Sequence, residues 1–144
     1  MPSGACSSLN DLPGRARSII DGARRAVLST VDPNARPHSV PVCFAVRGDE
    51  VISPIDHKPK SGGVLARVRN LEANPNATLL FDHWDEDWTR LGWVMVTGIA
   101  HMEQPPRASE LLLDRYEQFR AMPDFDALIV VAPRRIVWWT WTEV

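Results

Sequence analysis

The feature that most limits what this chain can fold into is a series of short runs in which apolar residues recur at every second position. Val40, Val42, Phe44 and Val46 alternate with Ser39, Pro41, Cys43 and Ala45. A period of two puts the first set on one face of a strand. Arg47-Gly48-Asp49-Glu50 is a turn by composition, and Val51–Ile55 returns as a second strand. Ala26–Val31 comes before this pair, across the turn Asp32-Pro33-Asn34-Ala35-Arg36-Pro37. Ala77–Phe81 and Trp93–Met102 follow, and Ala127–Ala132 with Arg135–Thr142 ends the sheet. Strands joined by hairpins suit a small six-stranded antiparallel barrel better than a parallel sheet.

Helical spacing appears three times around these runs. Leu12, Ala16, Ile19, Ile20 and Ala23 mark a first amphipathic helix. Val64, Leu65, Val68 and Leu71 mark a second, which stops near Asn74-Pro75. Leu112, Tyr116 and Phe119 share a face of a third, introduced by Pro105-Pro106. The fold class is mainly β (α+β), with the helices peripheral. A length of 144 residues fits one domain with its own core. The expected division is a loose N-terminal arm over residues 1–11 and a single domain over 12–144.

The only two lysines, Lys58 and Lys60, flank Pro59, and Arg67 and Arg69 follow with no carboxylate between His57 and Leu71. Such a concentration suits an anion, held by compact point charges. On a helix Arg67 and Arg69 diverge by about 200°, so at most one of them shares a ligand with the loop lysines. Gly62-Gly63 lets backbone N–H groups approach an anion near a helix start. The Gly-Lys-Ser/Thr of a Walker loop is missing.

A net charge of −2 argues against a nucleic-acid partner, and no apolar run approaches the roughly 20 residues that span a membrane. Residues 1–10 lack the pattern of a signal peptide. Cys6 and Cys43 form no disulfide or metal spacing, which points to a reducing cytoplasm. Asp82, His83, Asp85 and Asp87 lack the calcium-loop glycine and terminal glutamate, so a solvated connector is expected there, with no metal. The four histidines face no evident nucleophile and no Gly-x-Ser-x-Gly elbow exists, so no catalytic residue is assigned. Cys43, in an alternating run, is expected to be a small core residue. Among six tryptophans, Trp138 and Trp139 are adjacent in a strand and must face opposite sides. One side is then covered by the core and the other by a partner subunit or a ligand, and a homodimer is expected.

Ala26–Asp32, Arg36-Pro37-His38-Ser39-Val40-Pro41-Val42, Asp56-His57-Lys58-Pro59-Lys60 and Arg67-Val68-Arg69-Asn70-Leu71 occur in an order that resembles the pyridoxamine 5′-phosphate oxidase-like split β-barrel proteins. Asp82-His83-Trp84-Asp85-Glu86-Asp87-Trp88, with Leu91 and Trp93, is similar to the branch that uses the deazaflavin coenzyme F420. The resemblance implies an FMN-binding-like split barrel and a homodimer holding two flavin-type cofactors at its interface. It implies that His38, Ser39, Val40, Pro41 and Val42 line the ring, and that the stretch containing Ser53, Ile55 and Asp56 borders the ribityl chain. Lys58, Lys60 and Arg67 would take the phosphate, with Asn70 as helper or cap. Trp88 and Trp93 would approach from the neighbouring subunit. Gly92 stands where a second tryptophan is expected, Met95 where an arginine is usual, and Ser61-Gly62-Gly63 replaces a more basic stretch. The substrate-binding arginine and histidine pair of pyridoxamine phosphate oxidases has no match.

The function expected on this basis is hydride transfer from reduced F420 to a small, planar, unsaturated substrate. FMN is the alternative cofactor. A non-catalytic carrier of flavin, heme or bilin is the alternative function.

Overall fold

A computed structural model describes residues 3–56, 65–104 and 109–141. Its strands are β1 (Ser3–Cys6), β2 (Ala26–Val31), β3 (Pro37–Val42), β4 (Ala45–Arg47), β5 (Glu50–Asp56), β6 (Asn76–His83), β7 (Gly92–Glu103) and β8 (Phe125–Thr140). The α-helices are α1 (Gly14–Gly22), α2 (Ala66–Ala73) and α3 (Glu110–Arg115). The strands join in the order β3-β2-β6-β7-β8-β5-β4, and β1 pairs with β8 off that path. Every pairing among the described residues is antiparallel.

Among the described residues eight strands replace the six expected, and the hydrogen-bonded path is open rather than closed on itself. Three local causes account for the difference. The alternating run over 39–46 breaks at Cys43-Phe44, where β3 stays with β2 and β4 leaves to join β5. Phe44 and Ala45 are both buried although consecutive, because each faces a different apolar cluster.

The second cause lies at the N-terminus. The supposed loose arm is a strand: Gly4 pairs with Trp138, and a Cβ on Gly4 would lie 2.5 Å from that indole. Leu9 is buried and its amide donates to Asp49 Oδ1 at 2.7 Å, so the segment before residue 12 packs with the rest.

Third, the runs 127–132 and 135–142 merge into the single strand β8. A register shift between Thr97 and Gly98 lets β7 follow β8 past Pro133. That is the kind of ladder irregularity at which proline is tolerated.

β8 is the hub. One edge follows β7 along nearly its whole length, while the other pairs first with β5 and then with β1. The larger core lies on one face of the sheet, with Leu28, Leu79, Phe81, Val94, Val96 and Ile136 under Ile19 and Ile20 of α1. Phe44 meets Phe81 edge to face at 4.8 Å between centroids. A smaller cluster, including Ala45, Ile52, Leu112, Tyr116 and Leu128, fills the space beneath α3. The third predicted helix stops at Tyr116 and continues as a 3-10 turn over Glu117–Arg120. Among the described residues no helix is long and apolar enough to cross a membrane.

Candidate functional site

β3 ends the strand path, so β2 is its only ladder partner among the described residues. Main-chain groups on its far edge are therefore open to a ligand or another chain. Its side chains alternate as the strand period requires. Ser39 and Pro41 are exposed on the outer face, and Ser39 Oγ lies 2.8 Å from Ser29 Oγ. His38, Val40 and Val42 turn to the core side, with Val42 buried and Val40 packed against the larger cluster. The five residues expected to line a planar ring thus offer it two or three side chains and a strip of backbone on any one face.

The β5 residues behave differently. Ser53 is buried, and its hydroxyl donates to the carbonyl of Cys43 at 2.7 Å, pinning β5 to the β3–β4 junction. Ile55 belongs to the larger core. Both side chains are buried within the fold. Asp56 stands at the end of the strand, opposite Phe125. Lys58 and Lys60 lie outside the described residues.

On α2 the two arginines diverge as expected, with Arg69 exposed and Arg67 partly buried. Asn70 is only 6% exposed, and its Nδ2 donates to Thr30 Oγ1 at 3.0 Å. It serves as a tie between α2 and β2, not as a helix cap. Thr30 sits directly across the ladder from His38. Residues three apart share a helix face, so Arg67 lies one turn before Asn70 on that same side.

The aromatic group forms at the other end of the outer face. Trp93 pairs with Trp139, whose ring meets Trp141 at 6.5 Å and nearly at right angles. Trp138 turns inward against the core, so the two adjacent tryptophans do face opposite sides. Trp84 and Trp88 are 62% and 58% exposed and contact each other at 6.4 Å. The acidic connector builds the turn that carries Trp88. Asp87 Oδ1 accepts from the Thr89 amide at 3.1 Å and from its hydroxyl at 2.6 Å, bonds that hold its carboxyl below the usual range. Asp85 reaches His83 and Arg90, each at 3.8 Å. Among the described residues no group of three or more His, Cys, Asp or Glu is arranged to hold a metal ion.

Beside this end, a cleft of about 280 Å³ opens between α1 and β6, with Arg15, Ser18, Asp82 and His83 on its walls. Neither the cleft nor the parts of Trp139 and Trp141 were assigned from sequence. The clustering of six tryptophans was the available signal, but only the β7–β8 register brings Trp93 and Trp139 together. Between β3 and β7 lie three strand spacings, about 14 Å. The β3–α2 end and the tryptophan end are therefore two separate half-surfaces of one chain. The first offers open backbone and a cation, the second broad aromatic planes.

The family model described as pyridoxamine 5′-phosphate oxidase matches residues 12–144. No curated protein matches the chain. Among solved structures, a heme binding protein from Mycobacterium smegmatis superposes with a TM-score of 0.67 at 19% identity, over 87% of this chain and 52% of that one. The chain thus spans about half the length of that protein. Conserved hypothetical protein Rv2991 from Mycobacterium tuberculosis gives 0.68 at 20% identity, over 88% and 82%. HutZ, the heme storage protein from Vibrio cholerae, gives 0.61 at 18% identity, over 82% and 86%.

Proposed function

Because the chain belongs to the pyridoxamine 5′-phosphate oxidase family, we propose that it is an oxidoreductase holding a flavin-type cofactor between two copies of itself. The favoured cofactor is F420, reduced, with a small planar unsaturated substrate. The observation that carries this reading is the separation of the two half-surfaces. A planar ring laid on the open backbone of β3 is out of reach of the same chain's Trp93, about 14 Å away. A second copy brings its own Trp88 and Trp93 to that ring.

The residues present fit such a group. The β3 edge supplies main-chain donors and acceptors, Arg67 supplies a fixed cation, and the tryptophan end supplies apolar planes. The cofactor, when bound, supplies the hydride chemistry. The chain's own share is to bind, to orient the substrate against an aromatic wall and to exclude water. No protein acid or base is required, since water can deliver the proton.

F420 is favoured over FMN by the tail. A compact phosphate monoester wants donors converging on one point, whereas the longer deazaflavin tail wants charge spread along a path. Lys58, Lys60 and Arg67 are spread along a loop and a helix start in sequence. Side-by-side fluorescence titrations test the choice. Nanomolar FMN binding, with F420 no tighter than about 100 μM, would replace F420 by FMN.

A second reading, a heme carrier, is favoured by one observation: the His83 imidazole is half-exposed in the same connector as the exposed Trp84. A Soret band on mixing with hemin, lost in His83→Ala, together with no anaerobic turnover of reduced F420 or FMN, would select the carrier.

A further inference from the structure

Arg15, Ser18, Ile19 and Gly22 recur along α1 at the spacing of a single helix face, and all four line the cleft of about 280 Å³ beside β6. The cleft exists because the sheet is incomplete there. β6 loses its β2 partner after Leu80, while its other edge stays paired with β7 as far as His83 and Gly92. Gly92 lets α1 approach: a Cβ on it would lie 2.5 Å from Ile19 Cδ1. Side chains alternate along β6, so His83 follows the buried Phe81 to the α1 side. Asp82 follows Leu80 to the outer face, across from Trp93. The cleft therefore lies on the opposite face of the sheet from the Trp93–Trp139 pair.

Its polar side chains have capacity to spare. Arg15 Nη2 donates to the Arg90 carbonyl, which fixes the guanidinium, yet among the described residues Arg15 has no carboxylate partner. Asp21, on the same helix, is taken by Arg17 at 3.1 Å. The half-exposed His83 imidazole stands 3.8 Å from Asp85 Oδ2, too far for a hydrogen bond, and Asp85 is equally near Arg90. Ser18 has the opposite character. Its hydroxyl hydrogen goes to the Arg15 carbonyl at 2.7 Å, so toward a ligand its oxygen can only accept. A guanidinium fork suits a carboxylate, and a serine oxygen whose hydrogen is committed suits a hydroxyl. Ile19 and Ala23 add an apolar part to the lining.

We infer that this cleft binds a short hydroxycarboxylic acid, its carboxylate on Arg15 and its hydroxyl donating to Ser18 Oγ, with His83 at the rim. The volume suits a body of a few carbons rather than a flavin or a heme. The site is independent of the cofactor reading above.

The test uses the whole chain without cofactor, at ionic strength matched with chloride. The probes are racemic 3-hydroxybutyrate, butyrate and butane-1,3-diol. The parent should bind 3-hydroxybutyrate about fivefold tighter than butyrate and at least about tenfold tighter than the diol. Ser18→Ala should bring 3-hydroxybutyrate down to the level of butyrate and leave butyrate unchanged. Arg15→Gln should weaken both acids by about tenfold, and Arg15→Lys should recover part of that loss. In the parent, 3-hydroxybutyrate should also move one of the four histidine imidazole signals, the one missing in His83→Gln, and the diol should not. That measurement stands even if an Arg15 variant fails to fold. An unmoved His83 signal, an Arg15→Gln chain that binds the acids like the parent, or a Ser18→Ala chain that keeps the preference for the hydroxy acid overturns the inference.

Discussion

The backbone amide of Phe44 donates to the hydroxyl of Tyr116 at 3.1 Å, at the point where β3 gives way to β4. The same hydroxyl donates onward to the carbonyl of Arg24 at 3.0 Å. One phenol therefore ties the strand switch to the segment after α1, while the Arg115 guanidinium covers the Phe44 ring at 4.5 Å. Tyr116→Phe leaves the buried Phe44 amide without its acceptor. The expected cost is about 1–3 kcal/mol, read as a lower urea midpoint at unchanged m-value. An unchanged midpoint would show that the amide finds another partner.

Gly98 sits at the irregularity between β7 and β8, where an added Cβ would collide with the Ala132 carbonyl oxygen. The obstacle is backbone, so neighbouring side chains cannot relieve it by changing rotamer. Gly98→Ala should destabilise by about 1–3 kcal/mol or more, through forced backbone shifts at the hub strand. Thermal unfolding measures it, and a melting point equal to the parent's would contradict so close an approach of the two strands.

Ala35, in the turn between β2 and β3, has φ of 61°. A non-glycine residue there costs about 1–2 kcal/mol, of which glycine's extra unfolded-state freedom returns about 0.5–1. Ala35→Gly should therefore raise stability by about 0.5–1 kcal/mol. Denaturant titration resolves a change of that size, and a destabilised variant would refute the strain.

Arg47 donates to Glu103 at 2.8 and 3.0 Å and to Glu50 at 3.1 Å. The bonds to Glu103 hold its carboxyl below the usual range. A depressed carboxylate stabilises the fold above its unfolded pKa of about 4.3, and that contribution disappears as pH falls through the folded value. Glu103→Gln should therefore be less stable than the parent at pH 7, with the two curves converging on acidification. Parallel stability curves between pH 7 and pH 3 would argue against the linkage.

Leu80, Met95, Val137, Trp93 and Trp139 lie on one outer face of β6, β7 and β8. Covering one outward tryptophan contributes about 1.5–3 kcal/mol per chain, which favours a symmetric dimer. Sedimentation should find a dimer at micromolar concentration, and Trp139→Arg should dissociate it. A stable parent monomer would exclude the two-copy cofactor site.

Local rules in the sequence located much of the sheet. Ala26–Val31 is β2 to the residue, because a strand with one buried face must bury every second side chain. Ile19 and Ile20 mark the buried face of α1 for the same reason at helical spacing. Alternation also placed Trp138 and Trp139 on opposite sides, since adjacent strand residues have no other choice. The divergence of Arg67 from Arg69 was equally legible, being a property of the helix alone.

What the sequence left undecided was partner choice. Period two runs unbroken from Ser39 to Val46, yet the chain changes strand partners at Cys43-Phe44, because the pattern records which face a residue occupies and not which edge it joins. Ser3–Cys6 is too short to carry a pattern, and its strand exists because β8 offers a free edge beside Trp138. The internal hydrogen bonds of Ser53 and Asn70 were not legible either, because their partners, Cys43 and Thr30, lie 10 and 40 positions away. By itself the sequence determined the faces, because side-chain direction is set by the local backbone. The edges, the register and the destinations of buried polar groups were decided by tertiary structure, where each unsatisfied donor must find an acceptor from a distant segment.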